Sequence, residues 1–313
     1  PGWGDDVQPG FIAAYKQEKL LPVSQLSKGF VRPAYPEQIG FSYYQASLVA
    51  ELIERDHGFP GILNMLRAYK TGQSTDQVMR TVLKTDPAAF DKKFDAYMSQ
   101  RFARHIAAVK ASGSREPTAE DLGDYAVQLL MAQKLMREKK FDEALPVLQR
   151  AKLLFPEYAG GDSPYAMLAA LYREKGDLPK AAAELEALTA LNETDYQANL
   201  QLAEIMESAN NPTSAANALD RAIYIYPMQP ELHTRLAALF KKTGNLKKVV
   251  RERQALLALN PVDRAEAYYQ LALAHFEAGD APAARREVLK ALEEAPSFDK
   301  AQELLLRLRR NER

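Results

Sequence analysis

The sequence predicts an all-α protein with an N-terminal helical bundle, then a solenoid of helix pairs wound as a right-handed superhelix, then a C-terminal capping helix. The stretch 265–296 has the pattern of a helix, a tight turn and a second helix, with Tyr268, Leu271 and His275 on one helical face and Gly279 at the turn. Four degenerate copies of this stretch precede it. One such pair cannot bury both of its apolar faces alone, so the copies must stack.

Composition sets the limits on function. A chain of 313 residues is long enough to bury a core without metal or disulfides. Lys plus Arg and Asp plus Glu both number 41, so no overall field directs the protein to nucleic acid or an anionic membrane. The absence of cysteine excludes disulfides, thiolate nucleophiles and Cys-ligated metals, but it leaves the redox compartment open. No apolar run approaches the roughly 18 residues of a membrane span.

The first residues bear on localisation. The sequence opens at Pro1 with neither an initiator Met nor a signal peptide, which we interpret as an excised or processed fragment. We expect a soluble protein, with the bacterial cell envelope and the cytoplasm as the two alternatives for its compartment.

Residues 1–111 are predicted to form a bundle of five helices without an internal repeat. Pro9 suits the first position of a helix over 11–20, and the Pro- and Gly-containing stretch that follows is predicted to be irregular. The main helix is predicted over 41–56, stopping at Gly58, and its neighbour over 60–69.

The end of the bundle has two further helix signals. Ser74 and Gln77 have the spacing of a capping box for a helix over 78–83. Asp86-Pro87 opens a last helix rich in Phe and Tyr. The polar stretch 112–121 is predicted to be a linker.

A set of helix ends and aromatic residues in this bundle carries a family resemblance: Phe41-Ser42-Tyr43-Tyr44-Gln45-Ala46, Ile53, Gly58, Ile62-Leu63, Leu66, Tyr69 and Gly72-Gln73-Ser74. The pattern resembles the C-terminal helical part of gluzincin-type metallopeptidases. More narrowly, it is similar to the peptidase-MA-like domains that bacteria fuse to tetratricopeptide repeats. The resemblance covers roughly Gly2 to Phe102.

The resemblance implies a zinc site upstream of the matched part, held by the two His of HExxH and a Glu. Zinc hydrolysis needs three protein ligands and an open position, and HExxH supplies two because i, i+4 places both His on one helix face. The four histidines here are His57, His105, His233 and His275, and none has another within five residues. We therefore expect no catalysis, no metal and no cofactor in this chain, with zinc only in a longer parent.

Tyr43 is the one candidate for chemistry that the resemblance implies. It stands where the aminopeptidase branch of the gluzincins places a Tyr that hydrogen-bonds the tetrahedral oxyanion, and a phenol donor there would stabilise the transition state. The Lys-Gly that follows in aminopeptidases is Gln45-Ala46 here. The alternative interpretation is that Tyr43 and Tyr44 are amphipathic packing residues.

Residues 122–297 are predicted to form five tetratricopeptide repeats. The small residues of the first helices are separated by 37, 34, 34 and 35 positions, and they are Ala132, Ala169, Ala203, Ala237 and Ala272. The small or branched residues of the second helices are Ala144, Ala181, Ala215, Val249 and Ala284. The turns fall at Lys139, Gly176, Asn210, Gly244 and Gly279, where a left-handed conformation is expected. Residues 298–313 are predicted to be a capping helix, with Leu304 and Leu308 on its apolar side.

The first helices of such repeats line the concave surface, so a ligand is expected on their face opposite the Ala-Leu packing pair. By spacing, that face carries Gln133, Arg137, Arg173, Glu174, Leu200, Glu204, Glu207, Thr234, Lys241, Lys242, Tyr269, Leu273 and Phe276. Its mixed charge and aromatic end suit an extended segment or a helix of a partner. It lacks the repeated Lys and Asn clamp for a C-terminal carboxylate. Each of these residues has the alternative of being a solvated helix face.

Charge is uneven along the repeats, since 162–195 carries a balance of minus four and 230–261 a balance of plus five. The basic residues of the second segment include Lys241, Lys242, Lys247, Lys248, Arg251 and Arg253. Nucleic-acid binding is disfavoured, because no aromatic residues are interleaved with them. Head-to-tail self-association is an alternative use of the two opposite charges.

The sequence thus predicts a scaffold that binds a protein or peptide on its concave face. The alternative is the recruiting part of a larger bacterial zinc metallopeptidase whose HExxH lies upstream.

Overall fold

The structure, a computed structural model, describes residues 7–109 and 124–311, and over these ranges it is all-α. It contains seventeen α-helices and one 3-10 helix, and no β-strand occurs in the described ranges. The chain divides into two compact units, Pro1–Leu171 and Tyr172–Arg313. The predicted linker over 112–121 lies outside the described residues, as do the first residues of the sequence and the predicted start of the repeats at Leu122.

The helices of the first unit are α1 (Pro9–Lys16), α2 (Ser27–Val31), α3 (Gln38–Lys70), α4 (Thr75–Thr81), α5 (Pro87–Arg101), α6 (Ala103–Ala108), α7 (Tyr125–Arg137) and α8 (Phe141–Leu154). A ninth helix, α9 (Pro164–Glu174), contains the boundary between the units. Helix α3 is interrupted at Gly58, whose φ of 65° and ψ of 175° are not helical. The predicted stop at Gly58 is confirmed, because only glycine adopts this backbone conformation without strain.

Two other bundle predictions can be compared with the structure. The capping box at Ser74 and Gln77 is confirmed, with each side chain hydrogen-bonded to the backbone N–H of the other residue. Helix α1 is shorter than predicted, because Glu18 turns left-handed with φ 55° and the N–H of Lys19 reaches back to Ala14 O. The stretch predicted to be irregular contains a 3-10 turn and α2, the helices predicted over 41–56 and 60–69 form the interrupted α3, and α6 follows α5, so the described part of the bundle has six α-helices rather than five.

One core joins the bundle to the first repeat. Its buried residues come from α1, α3 and α5 and also include Tyr125 at the start of α7 and Phe155 at the end of α8. The Phe155 ring lies 4.8 Å from the Tyr125 ring and 4.9 Å from the ring of His105 in α6, measured between centroids. The bundle and the first repeat are therefore packed as one body within the first unit.

The helices of the second unit that follow α9 are α10 (Leu178–Leu191), α11 (Tyr196–Ser208), α12 (Pro212–Ile225), α13 (Pro230–Lys242), α14 (Leu246–Ala258), α15 (Arg264–Glu277), α16 (Ala281–Glu294) and α17 (Asp299–Asn311). Each packs against the next along the chain. Helix α17 covers the last repeat with the buried residues Ala301, Leu304 and Leu308, as the capping helix was predicted to do.

The internal geometry of the repeats follows the predicted pattern. The ten predicted small or branched positions are all buried, with at most 4% of each residue exposed. The five predicted turn residues all have positive φ, from 53° at Asn210 to 81° at Gly279. A helix pair can approach closely only where side chains are small, which is why this pattern sets the packing.

A polar contact also ties the two helices of a repeat together in three of the copies. The first-helix partner always lies four residues before the small Ala, and the pairs are Gln128 with Arg150, Asn199 with Arg221, and His233 with Glu252, at 3.4, 2.7 and 2.6 Å. These contacts satisfy polar groups that the helix pair buries.

Candidate functional site

The candidates in the first unit lie on two helices, Tyr43 on α3 and both Gln133 and Arg137 on α7. Tyr43 on α3 is 67% exposed, and its ring meets Phe30 edge-on at 4.9 Å between centroids. Gln133 on α7 is half-buried and Arg137 is exposed one turn later. The proposed oxyanion role of Tyr43 stays a prediction.

The first helices α11, α13 and α15 of the second unit are linked by ion pairs on the predicted ligand-binding face. Glu207 accepts a 2.9 Å hydrogen bond from Arg235, which joins α11 to α13. Lys241 donates a 2.7 Å hydrogen bond to Glu277, which joins α13 to α15. Spacing within one helix does not indicate either partner, because the contacts depend on how neighbouring helices pack.

The remaining charged candidates of this unit are exposed: Arg173, Glu174, Glu204 and Lys242. Thr234 and Ala238 are also exposed on α13. We call the exposed face formed by α11, α13 and α15 the first-helix surface.

The aromatic end of that surface differs from the prediction. Tyr269 and Phe276 are half-buried and pack against the core that α17 completes. The ring of Tyr269 lies 5.2 Å from the ring of Phe298, and the guanidinium of Arg307 lies 4.9 Å from the centre of the Phe276 ring. The capping helix therefore takes up contact area that the sequence assigned to a ligand, because spacing along α15 cannot show that α17 folds back over it.

A charged cluster joins α12, α13 and α14. Lys248 and Arg251 donate hydrogen bonds to the two oxygens of Asp220, at 2.8 and 2.5 Å. Arg251 also contacts Glu252 at 2.5 Å, and Glu252 is only 1% exposed. With Lys241, which pairs with Glu277, three of the six basic residues considered for nucleic acid are thus paired with carboxylates.

His233 completes this cluster. Its Nε2 donates a hydrogen bond to the carbonyl of Pro227 at 2.8 Å, and its Nδ1 lies 2.6 Å from Glu252 Oε2. Both ring nitrogens of this buried histidine therefore have partners within the protein. His233 is a structural residue of the repeat.

The surroundings of Asp220 change its acidity. Burial by itself raises the pKa of this carboxyl, but the hydrogen bonds from Lys248 and Arg251 outweigh it and hold the pKa below its ordinary value. A carboxylate whose folded-state pKa is depressed contributes stability that is fully present above the unfolded value, about pH 4, and is lost as the pH falls through the folded pKa.

Asp220→Asn is therefore expected to lower the free energy of unfolding at pH 7 by about 1.5–3 kcal/mol, the range for hydrogen bonds to charged groups. The difference from the natural chain should shrink as the pH falls through the folded-state pKa of Asp220. Urea unfolding followed by circular dichroism across this pH range measures it. Glu303→Gln, at an exposed position of α17, is the control, and an equal pH dependence of both variants would contradict the assignment.

The bundle contains a cavity of about 440 Å³ between the segment after α1 and α5. Its apolar lining includes Leu21, Phe94 and Met98, and its acidic lining includes Asp91 and Asp95. Both acids already accept hydrogen bonds, Asp91 from Ser24 and Asp95 from Tyr15. The cavity is thus bordered by groups that stabilise the bundle itself.

The described ranges contain neither a metal-binding cluster nor a helix that could span a membrane. Among residues 7–109 and 124–311, no group of three or more His, Asp or Glu side chains is arranged to hold a metal ion. No helix in the same ranges has both the length and the apolar character needed to cross a membrane.

Comparison with known proteins locates the repeats. The tetratricopeptide repeat family model matches residues 166–230 and 251–300, and this match does not include 1–165. The resemblance of the bundle to gluzincin peptidases therefore stays a prediction. A search of curated proteins gave no match.

Several solved structures are similar. YrrB, described as a tetratricopeptide-repeat protein with an unusual peptide-binding site, is 18% identical over 57% of this chain and 91% of its own, with a TM-score of 0.38. MamA of Desulfovibrio magneticus is 16% identical over 56% and 97%, with a TM-score of 0.34. A thermophilic tetratricopeptide-repeat protein of Thermus thermophilus is 20% identical over 59% and 98%, with a TM-score of 0.28.

Identities and TM-scores this low carry no information on the ligands of this chain. The fold itself, by contrast, is of a kind that typically serves as a non-catalytic scaffold for protein–protein interaction. Its periodic small residues, its left-handed turns and the family match together show that this chain carries tetratricopeptide repeats.

Proposed function

We propose that the chain is a non-catalytic scaffold that binds a protein or peptide across the first-helix surface of its repeats. The observation that carries the proposal is a contrast within the first helices. Their small buried position holds Ala in all five copies, preceded by Leu in four of them and by Met131 in the first, whereas the positions one turn beyond the small Ala differ from copy to copy. Those positions hold Arg173 and Glu174 in α9, Glu207 in α11, and Lys241 and Lys242 in α13.

A repeated backbone with varied exposed side chains can present a specific pattern of charge to an extended partner. The ion pairs Glu207 to Arg235 and Lys241 to Glu277 hold the side chains of this pattern in place. Exposed ion pairs of this kind contribute little to stability, about 0–1 kcal/mol each. We therefore assign these ion pairs mainly to the selection and orientation of a partner, and only to a small extent to the stability of the fold.

The test is capture of partners by the purified chain from a lysate, with bound proteins quantified by mass spectrometry. Lys241→Glu with Lys242→Glu is expected to reduce capture of specific partners by roughly tenfold or more, because two charges of the surface are reversed. The control pair Lys300→Glu with Arg309→Glu makes the same charge change on α17, where both residues are exposed. Equal loss in both variants, or no loss in either, would contradict binding at the first-helix surface.

The proposal that the chain is non-catalytic is tested separately, by an assay of peptide hydrolysis. The purified chain is expected to hydrolyse no peptide substrate, with or without added zinc. Turnover that a chelator abolishes would instead support the zinc peptidase that the bundle resembles.

A further inference from the structure

One core position of the repeats carries an arginine. The residue four positions after the small residue of the second helix is Leu148, Leu185 and Leu219 in the first three copies and Val288 in the last. Each of these four is at most 2% exposed. The fourth copy has Arg253 at this position, and it is half-buried.

Arg253 has no counter-ion in contact. Within the described ranges it forms no ion pair shorter than 4.0 Å and no hydrogen bond, unlike Arg251 two residues earlier. Burial lowers the pKa of the Arg253 guanidinium, and the carboxylates of Glu266 and Glu277 on α15 oppose that effect only from a distance. A half-buried guanidinium without a contact partner is energetically unfavourable, because it has lost part of its hydration without gaining an acceptor.

Part of the Arg253 side chain remains exposed, since the residue is half-buried. Helix α14 packs between α13 and α15, yet Val249 and Glu252 are its only fully buried residues within the described structure. Glu277, which interacts with Arg253 from a distance, is held by Lys241 of α13, and we call the space between α13 and α15 that this ion pair spans the groove. The side chains of Lys241 and Glu277 remain 55% and 28% exposed.

We propose that the groove between α13 and α15 binds an acidic segment of a protein partner, with one carboxylate side chain of that segment pairing with Arg253 and displacing Glu277 from Lys241. The inference rests on the proposed function and names the chemical class of its ligand. A guanidinium suits this task because its fork of N–H donors matches both oxygens of a carboxylate. The segment 230–261, which contains α13 and α14, carries seven basic and two acidic residues.

The same residues favour an acidic peptide over nucleic acid. A single carboxylate side chain can enter a groove between two helices, whereas a phosphodiester backbone needs a row of free cations on an open surface. Lys248 and Arg251, which would extend such a row, are already paired with Asp220. Sequence positions that depart from the packing pattern without a compensating contact are expected at functional sites. Arg253 is such a position, because the other copies have leucine or valine there.

The test uses fluorescence anisotropy with a labelled peptide of alternating Glu and Leu residues, acetylated and amidated so that only side chains carry charge. Arg253→Leu is expected to weaken binding by roughly tenfold or more, since the bidentate pair is lost. Glu277→Gln is expected to strengthen binding, because the competing carboxylate is removed. Arg286→Leu, at an exposed position of α16, is the matched control and should leave affinity unchanged.

Thermal unfolding separates this role from a structural one. Because leucine is the residue of three other copies, Arg253→Leu is expected to raise the melting temperature while it weakens binding. Arg253→Lys keeps the positive charge but loses the paired N–H donors of the guanidinium, so it should bind the peptide with intermediate affinity. This variant also tests the proposal if the leucine variant does not fold. Unchanged affinity in both Arg253 variants would overturn the proposal.

Control peptides distinguish a wrong ligand class from a wrong scaffold function. The same peptide with Gln in place of Glu, and another with Lys, should not bind. If the Gln or Lys peptide binds and the Glu peptide does not, the acidic ligand is wrong while the scaffold function stands. If no peptide binds and no partner is captured, both are wrong. A single-stranded oligonucleotide is tested as a competitor of the Glu peptide. If it displaces the peptide and its own binding depends on Arg253, the ligand of the groove is nucleic acid and the proposal of an acidic protein segment is wrong.

Discussion

Phe155→Ala is expected to lower the free energy of unfolding by about 3–5 kcal/mol, the range for truncating a buried aromatic side chain. Phe155 is 0% exposed and its ring contacts both Tyr125 and His105. The core it occupies also contains Phe11 and Phe102 of the bundle. Removing one ring should therefore weaken the bundle and the first repeat together, as urea denaturation followed by circular dichroism would measure.

Hydrogen exchange locates the effect. We expect faster amide exchange in α5 and α6 as well as in α7 and α8, because all four depend on one core. Leu153→Ala is the control two residues away, since Leu153 is 78% exposed and its truncation should change stability by no more than about 0.5 kcal/mol. Exchange that rises only in α7 and α8 would show that the bundle and the first repeat are independent.

Glu252→Ala is expected to lower the free energy of unfolding by about 3–5 kcal/mol, the range for removing one partner of a buried charged pair. Glu252 is 1% exposed and accepts a hydrogen bond from Arg251, and its other oxygen lies 2.6 Å from His233 Nδ1. Truncation therefore disrupts contacts to two neighbouring residues at once. The measurement is the free energy of unfolding in urea at pH 7, compared with the natural chain.

Glu252→Gln separates charge from shape. The amide keeps the size of the side chain, its oxygen can accept from Arg251 and its NH2 group can donate to His233 Nδ1, so we expect a loss clearly smaller than that of the alanine variant. Glu303→Ala on the exposed side of α17 removes the same side chain without a buried partner and should be nearly neutral. A cost for Glu252→Ala as small as that for Glu303→Ala would mean that the cluster does not stabilise the fold.

The Glu252 and Arg253 predictions concern adjacent residues of α14 with opposite expected effects on stability. Glu252 is buried with its partners, so its removal destabilises the chain. Arg253 is half-buried without a contact partner within the described structure, so its replacement by leucine should stabilise the chain. Comparison of the two residues therefore tests whether pairing, rather than burial alone, decides the energetic effect of a charge in this helix.

Part of the candidate site could be found from the sequence. The helical period placed Arg173, Glu204 and Lys242 on exposed positions of the first helices, where the structure has them. Arg253 was counted only as one member of a basic run, although a signal was present. Aligning the copies four residues after the small position would have shown an arginine where the other copies have leucine or valine.

Other parts of the site depended on contacts between helices. Arg235 and Glu277 could not be identified as partners of Glu207 and Lys241, because those contacts join different helices. Tyr269 and Phe276 were assigned to an open surface, and the structure instead packs them against the core that the capping helix completes. A helical period tells which residues share a face of one helix, but not which neighbour covers that face.

The sequence by itself determined the all-α class, the helix pairs, the buried small residues and the left-handed turns such as Asn210 and Gly279. These features arise from interactions between residues close in the chain, which leave periodic signals. Only the tertiary structure decided that the bundle and the first repeat share a core around Phe155, and that Arg253 lies half-buried without a contact partner among the described residues. Both depend on contacts between separate helices, which no local period encodes.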